Sequence, residues 1–357
     1  MKKYYRGWTS RMSDPNAVPA QCWGKLLCLA QSSNNGVRNG AKQPMSKEDR
    51  KFVENAMAEA ARATDPVRHM SKYINMLKLI ENPSEEDAED VRRIIDEAED
   101  LLCDIDFARD FCKLGGLTEV IRILKEDCEA VRTEIARVIP LLAENNPYVQ
   151  NLMFEIDLLP YLLDVLEDDS ASEELEMKVL SALSSLIRGH EKTFNQFCGL
   201  KGLEKIVNGF YRAIKKHDLK LANKALLVTT SIASSLGEDV VNSNFVPALI
   251  DMALQLSADS AGCSYAFDYL SSFFGDLVPT VDSLQDGICS THAKNLDKKW
   301  KIRFSELAER QLEHEKQNLQ SSGIEVFFGL TLNEVLHCKY RKSQKADCFA
   351  KRDGMIA

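Results

Sequence analysis

No glycine-rich phosphate loop of the Rossmann or Walker kind, no HExxH helix, no CxxC pair and no run of about 18 apolar residues occurs in this 357-residue chain. The first absence removes the backbone cradle that dinucleotides and nucleoside triphosphates use. The next two remove the familiar zinc spacings, and the last argues against a membrane span. His314-Glu315 comes nearest to a metal helix, but no second histidine follows it, so a solvated helix face is the better reading. Asp104, Asp106 and Asp110 imitate three positions of a calcium loop, yet Arg109 stands where glycine must make the turn and Gly115 where Glu must close the site. Calcium is rejected there. His337, Cys338 and Cys348 match no standard metal spacing. No catalytic, cofactor-binding or metal-binding residue is therefore assigned.

The ten cysteines are scattered, and several occupy positions where a small buried apolar residue would serve. They read as free thiols of a reducing compartment, cytosolic or also nuclear. Lys2 and Lys3 lead into Tyr4, Tyr5, Arg6 and Gly7 without an apolar stretch, so no secretory signal is expected. Net charge is −9, unevenly spread: residues 1–45 carry +6 and residues 323–357 carry +2, which leaves −17 on residues 46–322. So acidic a body repels a phosphate backbone, and a protein surface is the favoured partner over nucleic acid.

What the chain does have is a returning helical phrase. Gly116-Leu117-Thr118-Glu119-Val120-Ile121, Leu158-Leu159-Pro160-Tyr161-Leu162-Leu163, Gly202-Leu203-Glu204-Lys205-Ile206-Val207 and Phe245-Val246-Pro247-Ala248-Leu249-Ile250 align on Leu117, Leu159, Leu203 and Val246, at spacings of 42, 44 and 43. A period of ~40–47 residues is that of armadillo and HEAT units. Apolar residues recur at helical intervals over 131–145, 175–189 and 219–234; in the middle stretch Val179, Leu180, Leu183, Leu186 and Ile187 make one buried stripe. The expected fold is all-α, an armadillo-like right-handed helical solenoid with capping helices. Trp8, Trp23 and Trp300 fall outside the clear repeats, so the inner Trp and Asn ladder of peptide-binding armadillo proteins is missing and a nuclear-import role is disfavoured.

The chain divides into a basic tail over 1–44, capping helices and the start of the first repeat over 45–100, repeats over 101–255, a helical cap over 256–322 and a basic tail over 323–357. In the first tail Ser32-Ser33-Asn34-Asn35-Gly36 reads as linker, and an apolar island, Cys22, Trp23, Leu26, Leu27, Cys28, Leu29 and Ala30, either packs on the solenoid end or recognises another protein. Ser46 and Asp49 form a capping-box pattern ahead of a helix to about 63; helices are expected over 67–80 and from Ser84-Glu85-Glu86-Asp87 to Leu102. Residues 324–330 have strand-like character, and a basic run spans 339–345.

Leu101-Leu102-Cys103-Asp104-Ile105-Asp106-Phe107-Ala108-Arg109-Asp110-Phe111-Cys112-Lys113-Leu114-Gly115-Gly116 resembles the first-repeat segment of the heat-shock-protein-70-binding protein family, armadillo-type nucleotide exchange factors of the seventy-kilodalton chaperone. Ala108, Asp110, Phe111 and Gly116 match the family pattern, while Phe107 replaces its Asn. The helix Lys178-Val179-Leu180-Ser181-Ala182-Leu183-Ser184-Ser185-Leu186-Ile187-Arg188 and the stretch Trp23 to Ser32 are similar to family segments as well, and the likeness extends over about residues 22–320. Thr229-Thr230 stand where the family commonly has Gln-Asn.

The resemblance implies a co-chaperone that is not an enzyme and binds no nucleotide itself. It would grip the nucleotide-binding domain of heat-shock protein 70 and promote ADP release. Ala108, Glu144, Asn145, Lys178 and Arg188 are the expected contacts. Ala108 matters by being small, so a bulky charge there should clash with the partner and leave the fold untouched; Arg188 pairs with a partner acid or neutralises its own helix end. Trp23, Leu26, Leu27 and Leu29 resemble the family's release segment, which occupies the chaperone's substrate site. The alternative is an armadillo adaptor for another protein or an extended peptide, without exchange activity.

Overall fold

The period becomes structure because each unit supplies helices whose apolar faces only a neighbouring unit can cover. The computed structural model describes residues 46–63, 65–274 and 297–321, and the regular elements among them are helices. The chain is an all-α, armadillo-like solenoid.

Helix α1 (Lys47–Ala63) starts at the expected box: the Asp49 amide donates to Ser46 Oγ at 3.1 Å, and that hydroxyl donates to the Asp49 carboxylate at 2.7 Å. Helix α2 (Pro66–Lys78) follows Asp65, whose side chain accepts from the Val67 amide, with proline at a position where its missing N–H costs nothing. Helix α3 (Asp87–Leu102) carries Asp87, Glu89 and Asp90 in its first turn, where the helix dipole favours them, and buries Val91, Ile94, Ile95, Ala98 and Leu102.

Four units follow. The first is α4 (Ile105–Lys113), α5 (Gly116–Leu124) and a third helix in two pieces, α6 (Glu129–Ala136) and α7 (Val138–Ala143); the second is α8 (Pro147–Glu155), α9 (Leu158–Glu167) and α10 (Glu173–Ile187). The third is α11 (Glu191–Gly199), α12 (Gly202–Lys215) and α13 (Leu219–Ser234); the fourth opens with a 3-10 helix (Gly237–Asn242) and continues as α14 (Phe245–Gln255) and α15 (Ala261–Phe274). Helix α16 (Lys298–Ser321) packs on α14 and α15. The helical stretch over 131–145 is in two pieces, divided at Arg137. Pro140 explains the break, since it has no N–H for the Ala136 carbonyl and its ring crowds that oxygen.

Local chemistry repeats with the units. The first helices begin behind Asp104, Asn146 and His190, side chains that accept from amides of the opening turn. First and second helices join through a left-handed residue, Gly115 at φ 90°, Asp157 at 52° and Lys201 at 57°. The next residue is glycine in the first and third units, where a Cβ on Gly116 would meet the buried Phe111 ring and one on Gly202 the buried Phe197 ring.

The third helices α3, α6, α10, α13 and α15 pack in series, and one buried cluster runs from Met70 to Ala308. Side chains also reach back to close the open carbonyls ending the previous unit's second helix. Arg122 donates to Leu77 and Ile80 at 3.0 and 2.9 Å, Tyr161 to Leu124 at 2.6 Å, Arg212 to Leu166 at 2.7 Å, and Arg310 to Ala253 and Leu254 at 2.6 and 3.0 Å.

Candidate partner-binding face

In an armadillo-like stack the third helices form the inner row, so their solvent side is the surface a partner would meet. Glu144, Arg188 and Ser231 fall at equivalent places in three successive units, 44 and 43 residues apart, and meet as one rung: Arg188 donates to the Glu144 carboxylate at 2.5 Å and to Ser231 Oγ at 3.2 Å. Both charged side chains keep access to water, 35% exposed for Arg188 and 53% for Glu144. The rung is anchored from beneath. Gln150, 1% exposed, donates to the carbonyls of Ser185 and Arg188 at 2.7 and 2.9 Å, which closes the end of α10 and fixes the backbone from which Arg188 projects.

Arg188 therefore caps α10 and faces an acid at once, although the acid is Glu144 of its own chain. Asn145 is exposed at φ 54°, the turn between α7 and α8, a conformation asparagine tolerates. Burial first, then the charges of Glu99, Asp100 and Glu144, push the Cys103 thiol up, so the field of Glu144 extends to the end of α3. Lys178 lies partly buried on α10. Its charge reaches Lys224 on α13, whose ammonium is pushed down by burial and then by Lys178.

Ala108 requires a correction. It is 1% exposed and belongs to the core on α4, which packs against α2, α3, α5, α7 and α8. Its smallness serves helix packing within the chain, and its side chain is not part of the exposed face. Trp23, Leu26, Leu27 and Leu29, together with residues 324–330 and 339–345, lie outside the described residues.

Sequence reading overlooked the ion network at the first inner helices. Glu134, 4% exposed, accepts from Arg92 at 2.7 and 3.0 Å and from Arg137 at 3.1 Å; Arg137 also reaches Asp96 at 2.8 Å. Burial pushes the Glu134 carboxyl up, but the two arginines outweigh it and hold it below the ordinary range. Glu176 is the opposite case, raised because burial outweighs its contact with Arg212 at 3.0 Å. The residues had one visible signal, acids on otherwise apolar helical stripes.

Helical units in register and an inner row with a charged, water-accessible rung define a class, the armadillo-like solenoids. Within it, residues 107–230 match the family described as the SIL1/FES1/HPBP1 C-terminal domain, so the chain is similar to the heat-shock-protein-70-binding exchange-factor family, as its phrases indicated. The matched span takes in α5 to α12 whole and is narrower than the 22–320 read from those phrases. The chain is 26% identical over 205 residues to Hsp70-binding protein 1 of Rattus norvegicus, covering 55% of this chain and 57% of that protein. It is 27% identical over 208 residues to Hsp70-binding protein 1 of Homo sapiens, with 55% and 57% covered. To the Hsp70 nucleotide exchange factor FES1 of Debaryomyces hansenii it is 25% identical over 177 residues, with 44% and 61% covered. The chain thus spans somewhat over half the length of these relatives.

Proposed function

We propose that this protein is a co-chaperone that binds the nucleotide-binding domain of a heat-shock protein 70 and speeds ADP release. The observation that carries the reading is the coincidence of the family match over 107–230 with the stretch that builds the Glu144–Arg188 rung. Glu144, Asn145, Lys178 and Arg188 are the contacts we assign.

The mechanism needs no catalytic residue. Binding and nucleotide release are linked: if the solenoid holds the open, nucleotide-free chaperone a thousandfold more tightly than the ADP form, the coupling is about 4 kcal/mol, and ADP affinity falls by the same factor. A stacked solenoid suits this because its units are braced against one another and deform little when the partner opens. The apolar island at Trp23, Leu26, Leu27 and Leu29 would occupy the chaperone's substrate site and hasten client release. The encounter is set in the cytosol or nucleus.

Stopped-flow release of a fluorescent ADP analogue from purified cytosolic heat-shock protein 70 tests the reading. Acceleration that rises with concentration and weakens in Arg188→Ala, at unchanged helical content, is expected. No acceleration, with the chaperone shown competent by another exchange factor, would leave an adaptor role in its place. Deleting residues 1–44 should spare ADP release and slow the freeing of a bound peptide; equal peptide release would remove the tail from the mechanism.

A further inference from the structure

Several cations that pack between helices among the described residues are matched by acids. Lys205 meets Glu167 and Asp164, Arg212 meets Asp169 and Glu176, and Arg137 meets Asp96, Glu99 and Glu134. Three lysines on two adjacent inner-row helices break the pattern. Lys178 on α10 and Lys224 on α13 are both partly buried on helices that pack against each other, the Lys178 charge acts on Lys224, and Lys220 sits one turn before Lys224 on the same face. None of the three has an ion pair among the described residues.

Gathering like charges on a body of net −17, with one ammonium partly withdrawn from water, opposes folding and does nothing evident for packing. Such an arrangement is relieved when an acid arrives from outside. We propose that Lys178, Lys220 and Lys224 form a docking point for a cluster of carboxylates on the folded partner, on the same row of helices as the Glu144–Arg188 rung. The inference rests on the chaperone-binding reading above and specifies the chemistry of the partner's surface.

A long polyanion fits less well. The basic patch ends within two helices, and acids lie elsewhere along the row: Glu174 in the first turn of α10, Glu144 at the rung, and Asp96, Glu99 and Asp100 on α3. A phosphate backbone extended along the row would run into them, whereas a compact group of carboxylates would not.

The test uses the full chain carrying Lys178→Ala with Lys224→Met, the second change keeping the buried stem and removing only the charge. Lys215→Ala, at an exposed site on α12, is the control. Affinity for purified heat-shock protein 70 is measured at low and high salt, with melting curves for each variant. The expected result is about a tenfold weaker complex at low salt, a flatter salt dependence and unchanged melting, the control behaving as wild type. Wild-type affinity and salt slope in the double variant would overturn the lysine inference alone. A wild-type protein that neither binds the chaperone nor speeds ADP release would overturn the functional reading and this inference with it. A single-stranded oligonucleotide bound by wild type and not by the variant, with chaperone affinity unaltered, would assign the lysines to a polyanion and likewise overturn it.

Discussion

Two nearly buried glutamates, Glu134 and Glu176, sit beside arginines, and although burial pushes both carboxyls up, their net shifts run in opposite directions. Glu134 has two arginine donors and ionises more readily than in water; Glu176 has one and ionises less readily. The sign of each pH effect follows. The contribution of Glu134 is complete above the ordinary carboxylate value of about 4.3 and is lost as pH falls through its lower folded value. Glu134→Gln should therefore cost about 1.5–3 kcal/mol at neutral pH, with the gap to wild type closing below pH ~4 in denaturant titrations. For Glu176 the folded state holds the proton more tightly, so wild type should gain relative to Glu176→Gln as pH falls. Ala108→Arg also belongs at this scale. An unpaired guanidinium forced into a site 1% exposed should cost on the order of 4–5 kcal/mol and appear as lost melting stability, contrary to the selective block of binding expected from sequence. That error has a physical origin: a small residue at a contact and a small residue in a core look alike in one dimension.

At the scale of the element, what ends a helix was more legible than what covers it. Asp65, Ser46 and the proline at Pro66 announced their helix starts through hydrogen-bonding chemistry that acts within a few residues. Gly116 and Gly202 were visible as repeated glycines, but their reason is a ring five residues earlier in each unit, folded back over the backbone. Gly202→Ala should push Cβ into the Phe197 ring and destabilise by about 1–3 kcal/mol, and pairing it with Phe197→Leu should recover part of the loss. The carbonyl-closing side chains had no fixed register to reveal them. Arg122, Tyr161, Arg212 and Arg310 differ in type and in distance from the phrase that begins each second helix, because each need only reach a helix end brought close by stacking.

For the whole molecule, stability is a sum over neighbouring units, so damage at one end should stay there. Phe304 lies between Phe267 and Phe274 of α15, with ring centroids 6.0 and 5.8 Å apart, and is fully buried. Deleting residues 297–357 should expose that aromatic face, lower the melting temperature and promote aggregation, while hydrogen exchange in the units over 104–187 stays protected. The sequence by itself determined the class of structure and its period, because helix periodicity, caps and breakers act over a few residues and recur with each unit. It also carried the family likeness, which rests on ordered phrases. Only the tertiary structure decided which polar residues share the inner face. Glu144, Arg188 and Ser231 become neighbours and the Lys178 charge comes to act on Lys224 because stacking brings together positions 43 to 46 residues apart, Ala108 vanishes into the core between packed helices, and the rotation of each helix that settles these contacts is set by packing against its neighbours.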